Sequence, residues 1–211
     1  VKETRVLLIF TAAYMLAGLA AALAFGITEF VFYLAAAPFL VGCIAFIHIK
    51  TDVPLSLLTC LTLLGLLHVL GGLVPVPESW PAEGKHLLYN LWIFEDRLKF
   101  DQVVHAYGNG IATWLCWHLM RHTIASIGEW KTLEIEAKPI FLIICLFAGV
   151  GIGAFNELGE FMTTLMIEEN SVGGYENTGF DLVANTVGSV IAVFLIRFKR
   201  VEKLAAGPRE I

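Results

Sequence analysis

Charged side chains are scarce in this chain. Asp, Glu, Lys and Arg make up 16% of its 211 residues, where ordinary globular domains carry about a quarter. A soluble fold of this size is thereby excluded. The formal net charge is −5, so the basic face that nucleic acid requires is missing and no nucleic-acid partner is expected. Cysteine is rare as well. Cys43, Cys60, Cys116 and Cys145 all fall inside apolar runs, with no C-x-x-C or other metal spacing among them. They read as small buried hydrophobes and leave the redox compartment open. No G-x-S-x-G, H-E-x-x-H or phosphate-cradling glycine loop is present. Catalysis built on a recognisable nucleophile motif has no foothold here.

Apolar sequence is what the chain has in abundance: 57% of it is hydrophobic and the mean hydropathy is +0.75. Runs of about 20 residues cross a hydrocarbon core about 30 Å thick, since a helix rises about 1.5 Å per residue. Six such runs are predicted, at about 6–25, 30–47, 53–73, 102–120, 139–158 and 182–196. The first follows Lys2 and Arg5 and has Ala22-Leu23-Ala24 near its end, the outline of a signal peptide. Its apolar core exceeds the usual length of about 7–15 residues, so it is read as a span. Pro38 predicts a kink in the second run. Gly149, Gly151 and Gly153 give the fifth a small-x-x-x-small spacing suited to close helix packing. Between spans three and four, Pro75, Pro77 and Pro81 break helix. Residues 86–94 are then apolar and aromatic but too short to cross, which suits an interfacial or re-entrant segment. The acidic loop after span five ends in the turn-rich run Gly173-Gly174-Tyr175-Glu176-Asn177-Thr178-Gly179.

Lys and Arg set the expected orientation. The N-terminus, the loops after spans two and four, and the C-terminus together hold Lys2, Arg5, Lys50, Arg121, Lys131, Lys138, Arg197, Lys199, Arg200, Lys203 and Arg209. The opposite side keeps only Lys85, Arg97 and Lys99. The prediction is an all-α, polytopic membrane helix bundle with about six transmembrane helices and both termini cytoplasmic. It forms a single integral domain over residues 1–211 in the inner (plasma) membrane of the cell.

This topology brings polar residues from several spans to one layer near the outer face. Phe100-Asp101-Gln102-Val103-Val104-His105-Ala106-Tyr107-Gly108 opens span four. Eighty positions later Phe180-Asp181-Leu182-Val183-Ala184-Asn185-Thr186-Val187-Gly188 opens span six in the same register, with Asn185 in place of His105. Asp101 and His105 are i, i+4, as are Asp181 and Asn185, while Glu157 and Glu160 are i, i+3; each pair shares a helix face. His68 lies about one turn below Gly71-Gly72 at the outer end of span three. Ionisable groups inside a span cost about 2.5–3.5 kcal/mol each on insertion scales and face a bundle interior or wet cavity. A mostly acidic group with histidine needs compensating charge. A divalent metal is the simplest source, with Zn or Mn suited to imidazole plus carboxylate. Protons shared between carboxylates are the alternative.

Plainer readings stand beside these. The two aspartates are favoured N-cap residues, and Glu157 with Glu160 fits a solvated helix end. His105 alone fits a hydrogen-bonded core histidine, and His68, isolated in an apolar run, fits a structural role better than a ligand's. His118 and His122, beside Arg121 at the cytoplasmic end, read as a snorkelling, solvated pair. His48 and His86 are boundary residues without an assigned role.

The motifs Asp101-x-x-x-His105, Glu157-x-x-Glu160 and Asp181-x-x-x-Asn185-x-x-Gly188 resemble the pattern of YjdF-like inner-membrane proteins. The resemblance extends to His68-x-x-Gly71-Gly72, Leu88-Tyr89-Asn90 and Gly173-Gly174-Tyr175-Glu176-Asn177-Thr178, about the last two thirds of the chain. It adds Tyr175 to His68 and Asn185 as supporting residues, around a candidate metal set of Asp101, His105, Glu157, Glu160 and Asp181. More distantly, the chain is similar to VanZ-like membrane proteins. It departs from them in its second motif, where an acid is usually paired with Gln, and in lacking a basic residue before the last Asp. The resemblance implies the site but supplies no chemistry, and no glycopeptide-resistance role is carried over.

Three functions follow. In the first, the outward-facing site, metal-bound or not, binds or acts on a lipid-linked or envelope component. Glu157, Glu160 and Asp181 are then available as bases, and the segment 86–94 as a lid. In the second, the chain is a non-catalytic accessory or structural subunit of a larger membrane complex, its polar layer locking helices together. Transport, the third, is weakened by the layer's position near one face, because transporter sites usually lie at the midplane.

Overall fold

The computed structural model describes residues 2–126, 138–167 and 172–198. Six long helices dominate: α1 (Lys2–Phe25), α2 (Thr28–Thr51), α3 (Leu55–Leu73), α4 (Phe100–Ser126), α5 (Lys138–Met166) and α6 (Tyr175–Phe198). Uninterrupted apolar sequence forces this outcome, since a helix satisfies its own backbone groups where water cannot. The breaks are local. Gly26 adopts a φ of 68° between α1 and α2. Asp52, at φ 51°, ends α2 with its N–H bonded to the His48 carbonyl, and Pro54 then precedes α3. α2 continues as helix through Pro38.

Every helix but α3 overruns its apolar core, most of all α5 and α6. α5 continues past residue 158 to Met166, and α6 starts at Tyr175 rather than near residue 182. Glu157 and Glu160 are therefore interior positions of α5, and Asp181 lies in the second turn of α6 rather than at its cap. Of the glycine-rich run 173–179, expected as turn, Gly173 and Gly174 precede the helix and residues 175–179 open α6. Of the basic residues that set the expected orientation, Lys131 in the connector and Lys199, Arg200, Lys203 and Arg209 in the tail lie outside the described residues.

α4, α5 and α6 form one three-helix unit. α6 runs parallel to α4 and α5 antiparallel to both, as the paired positions His105–Asn185, His105–Glu157 and Trp117–Cys145–Ile196 require. At the crossing of α4 and α6, Gly188 lies directly on the Ala106 carbonyl, leaving no room for a Cβ. The aligned Gly108 faces Leu64 of α3 instead, so the two matching glycines serve different contacts. Val53, Leu57, Leu58 and Ile111 join α3 to α4, while Ala22, Phe30, Leu34 and Leu73 hold α1, α2 and α3 together. His118 is bonded through Nε2 to the Thr51 carbonyl at 3.0 Å, so it ties α4 to the end of α2 rather than forming a solvated pair with the exposed His122.

Among the described residues, five helices, all but α4, are long and apolar enough to cross a membrane. α4 falls short because Asp101, Gln102, His105, Asn109 and Thr113 are on it, and its neighbours cover them. Phe39, Phe155 and Ile49 are among the many large apolar side chains left outward, an exterior that suits hydrocarbon. Residues 86–94 are not helical throughout. A 3-10 turn at Leu88–Asn90 leads into β1 (Trp92–Phe94), which pairs antiparallel with β2 (Leu98–Lys99), and bridges Pro75–Leu87 and Ala82–Leu91 fold the segment back on itself. Ile93 and Phe94 are exposed on it, as is Trp80 just before it. Tyr89 is driven inward against Gly71.

Candidate functional site

Asp101, His105, Asn109 and Thr113 recur every four residues and so share one side of α4. α6 turns Asp181, Asn185 and Ser189 toward them at the same interval, and α5 contributes Glu160, Glu157, Gly153 and Gly149 in the reverse direction. His105, 7% exposed, is the centre. Its Nδ1 lies 3.2 Å from Glu157 Oε1 and 3.3 Å from Asn185 Oδ1. Its Nε2 lies 3.4 Å from Asp101 Oδ1 and 3.6 Å from Glu160 Oε1. Asn185 also donates through Nδ2 to Glu157 Oε1 at 3.3 Å, so one amide orients both the imidazole and the carboxylate. Asn156 Nδ2 donates to Glu160 Oε1 at 2.8 Å.

Asp181 is fully buried and accepts a hydrogen bond from Asn177, one turn earlier on α6; Asn177 in turn accepts one from Lys99. One donor atom each from His105, Glu157, Glu160 and Asp181 lies within 4.8 Å of every other. Donors bound at about 2.1 Å to a tetrahedral ion stand about 3.4 Å apart, so the group is slightly wider than a closed coordination sphere. His105 Nε2 has only its ion-pair contacts with Asp101 and Glu160, while Glu157 Oε2 and Asp181 Oδ1 are buried without a hydrogen-bond partner among the described residues. Such orphaned atoms are expensive unless something polar or charged meets them. Imidazole nitrogen with several carboxylate oxygens is a donor set that fits Zn or Mn.

Below this layer the three helices stay polar for two more turns. Gly153 leaves space filled by the Asn109 and Asn185 amides, and Gly149 leaves space filled by the Thr113 and Ser189 hydroxyls. The small-x-x-x-small spacing on α5 thus admits polar side chains rather than a neighbouring backbone. Trp117, Leu142, Cys145 and Ile196 then close the bundle with an apolar plug.

Asp101, His105, Glu157, Glu160, Asp181 and Asn185 are brought together. Of the other two supporting residues, His68 stands within electrostatic reach of His105 and Asp101, while Tyr175 does not join the group. His68 is occupied through Nδ1 by the Tyr89 hydroxyl, whose burial pushes its pKa well above the usual tyrosine value and keeps it a donor. Tyr175 opens α6 with its side chain 94% exposed, away from the site. Sequence reasoning passed over Asn177, Lys99, Asn109 and Ser189. The four-residue interval Asn177–Asp181–Asn185–Ser189 was the available signal, hidden by reading the glycine-rich run as turn. Lys99 had no such signal, because the ribbon carries it there.

No curated protein and no solved structure matches the chain. A family model matches residues 5–201, and it agrees with the YjdF-like resemblance. The chain belongs to the family described as Predicted membrane protein (DUF2238), and it is an integral membrane protein.

Proposed function

We propose that this protein crosses the cell membrane six times, with both termini cytoplasmic, and binds a divalent ion, Zn or Mn, in the acidic–histidine site near its outer face. The ion is presented there to a lipid-linked or envelope component. The observation that carries this reading is the meeting of four ligand-type side chains from three helices within 4.8 Å, with Glu157 Oε2 and Asp181 Oδ1 buried and unbonded among them. Leaving several buried carboxylates uncompensated would cost several kcal/mol per ion. With Nδ1 bonded to Asn185 and Glu157, His105 directs Nε2 to the ion, the usual division of labour in a metal-binding imidazole. Glu160 and Asp181 supply oxygen ligands, and Asp101, 3.4 Å from Nε2, stands ready as another. A bound ion would polarise a carbonyl or phosphoryl oxygen, or lower the pKa of a water. Glu157, held by Asn185, is then placed to accept a proton.

α4 counts as the sixth span because its polar side faces its neighbours rather than lipid. The more distant VanZ-like likeness adds nothing beyond the shared motifs. A second reading, an accessory subunit whose polar layer locks helices, draws on the polar contacts around Gly149 and Gly153. Metal analysis of detergent-purified protein separates the two. The metal reading predicts about one ion per wild-type chain, reduced tenfold or more in His105→Ala and in Glu157→Gln. Metal-free wild type that co-purifies with a fixed partner would favour the accessory role.

A further inference from the structure

Lys99 belongs to the surface ribbon, yet its side chain is only 7% exposed. Burying an ammonium is costly unless it is paired. Its ion-pair partner, Glu83, lies 3.2 Å away but is 59% exposed, and an exposed pair repays little. Trp92 offers a ring face 5.5 Å from Nζ. The remaining bond leads inward: Lys99 donates to Asn177, and Asn177 donates to Asp181. The backbone N–H of Lys99 is fixed by Gln102 Oε1 at 3.0 Å, which anchors this residue at the mouth of α4. Asp101, Glu157, Glu160 and Asp181 together carry four negative charges when ionised. A divalent ion neutralises half of that, so further positive charge is needed.

We infer that Lys99 is the built-in counter-cation of the acidic site: through Asn177 it offsets the charge on Asp181, and it competes electrostatically with the divalent ion to set the site's affinity. The competition with metal rests on the metal-binding function proposed above; the charge coupling to Asp181 does not. A purely structural tie between ribbon and α6 makes the opposite prediction for the metal, because loosening it would disorder Asp181 and weaken binding.

The test uses the full chain in detergent with Mn²⁺ or Zn²⁺ alone as the probe. Lys99→Met keeps the aliphatic stem against Trp92 and removes the charge; Lys99→Arg keeps the charge. Lys99→Met is expected to bind the ion about tenfold more tightly, as removal of a nearby positive charge implies, with Lys99→Arg close to wild type. Equal or weaker binding by Lys99→Met overturns the inference. Should the wild type bind no ion, the metal reading fails separately. The charge coupling is then read from melting temperatures of Lys99→Met and Asp181→Asn, alone and combined. A loss of several degrees in Lys99→Met that largely disappears in the Asp181→Asn background supports the counter-cation role, and independent effects overturn it.

Discussion

An imidazole that binds a metal through one nitrogen is usually held by a hydrogen bond at the other. Asn185 makes that bond to His105 and, with its amide nitrogen, steadies Glu157. It is thus a positioning residue, touching two site side chains without being a carboxylate or imidazole itself. Asn185→Leu removes both hydrogen bonds and leaves His105 Nδ1 and Glu157 Oε1 in each other's company alone. Metal affinity is expected to fall by about 10–100-fold, the range typical of such outer partners. A titration in which Asn185→Leu matches wild type would remove Asn185 from the account. The repeat shared by spans four and six made this pairing legible in the sequence, since His105 and Asn185 occupy the same register. What it could not reveal was Asn177, whose role depends on α6 beginning two turns earlier than the apolar run does.

Helices α4, α5 and α6 approach closely only where glycine permits. A Cβ at Gly188 would strike the Ala106 backbone, and one at Gly153 would strike the Asn109 amide, whereas Gly151 has nothing within 4 Å. Gly188→Leu and Gly153→Leu are therefore expected to destabilise the fold by about 1–3 kcal/mol, as overpacking does. Gly151→Leu should stay within about 0.5 kcal/mol of wild type. Equal melting shifts for all three would refute this packing. The glycine spacing on α5 was visible in the sequence, but its use was not: spacing alone does not say whether a backbone, an amide or a hydroxyl fills the vacated space. The ribbon was still less legible. Its short strands have no periodicity to speak of, and only the folded segment puts Tyr89 on His68 and Lys99 on Asn177.

At the scale of the molecule, an apolar exterior encloses a polar seam that starts at Asp101 and ends above the plug of Trp117, Leu142, Cys145 and Ile196. The seam is blind at that end, which suits binding at one face better than passage through the bundle. Helix number and broad class were legible because hydrocarbon demands long apolar runs. Helix ends were not, because α5 and α6 extend past their apolar cores with polar and glycine-containing sequence. Electron paramagnetic resonance of the Mn²⁺-loaded protein tests the central claim most directly, since hyperfine coupling identifies a nitrogen ligand. One imidazole nitrogen coupled to the ion in the wild type, and lost in His105→Ala, is the predicted result. A bound ion with no nitrogen coupling, or coupling that survives the loss of His105, would contradict it.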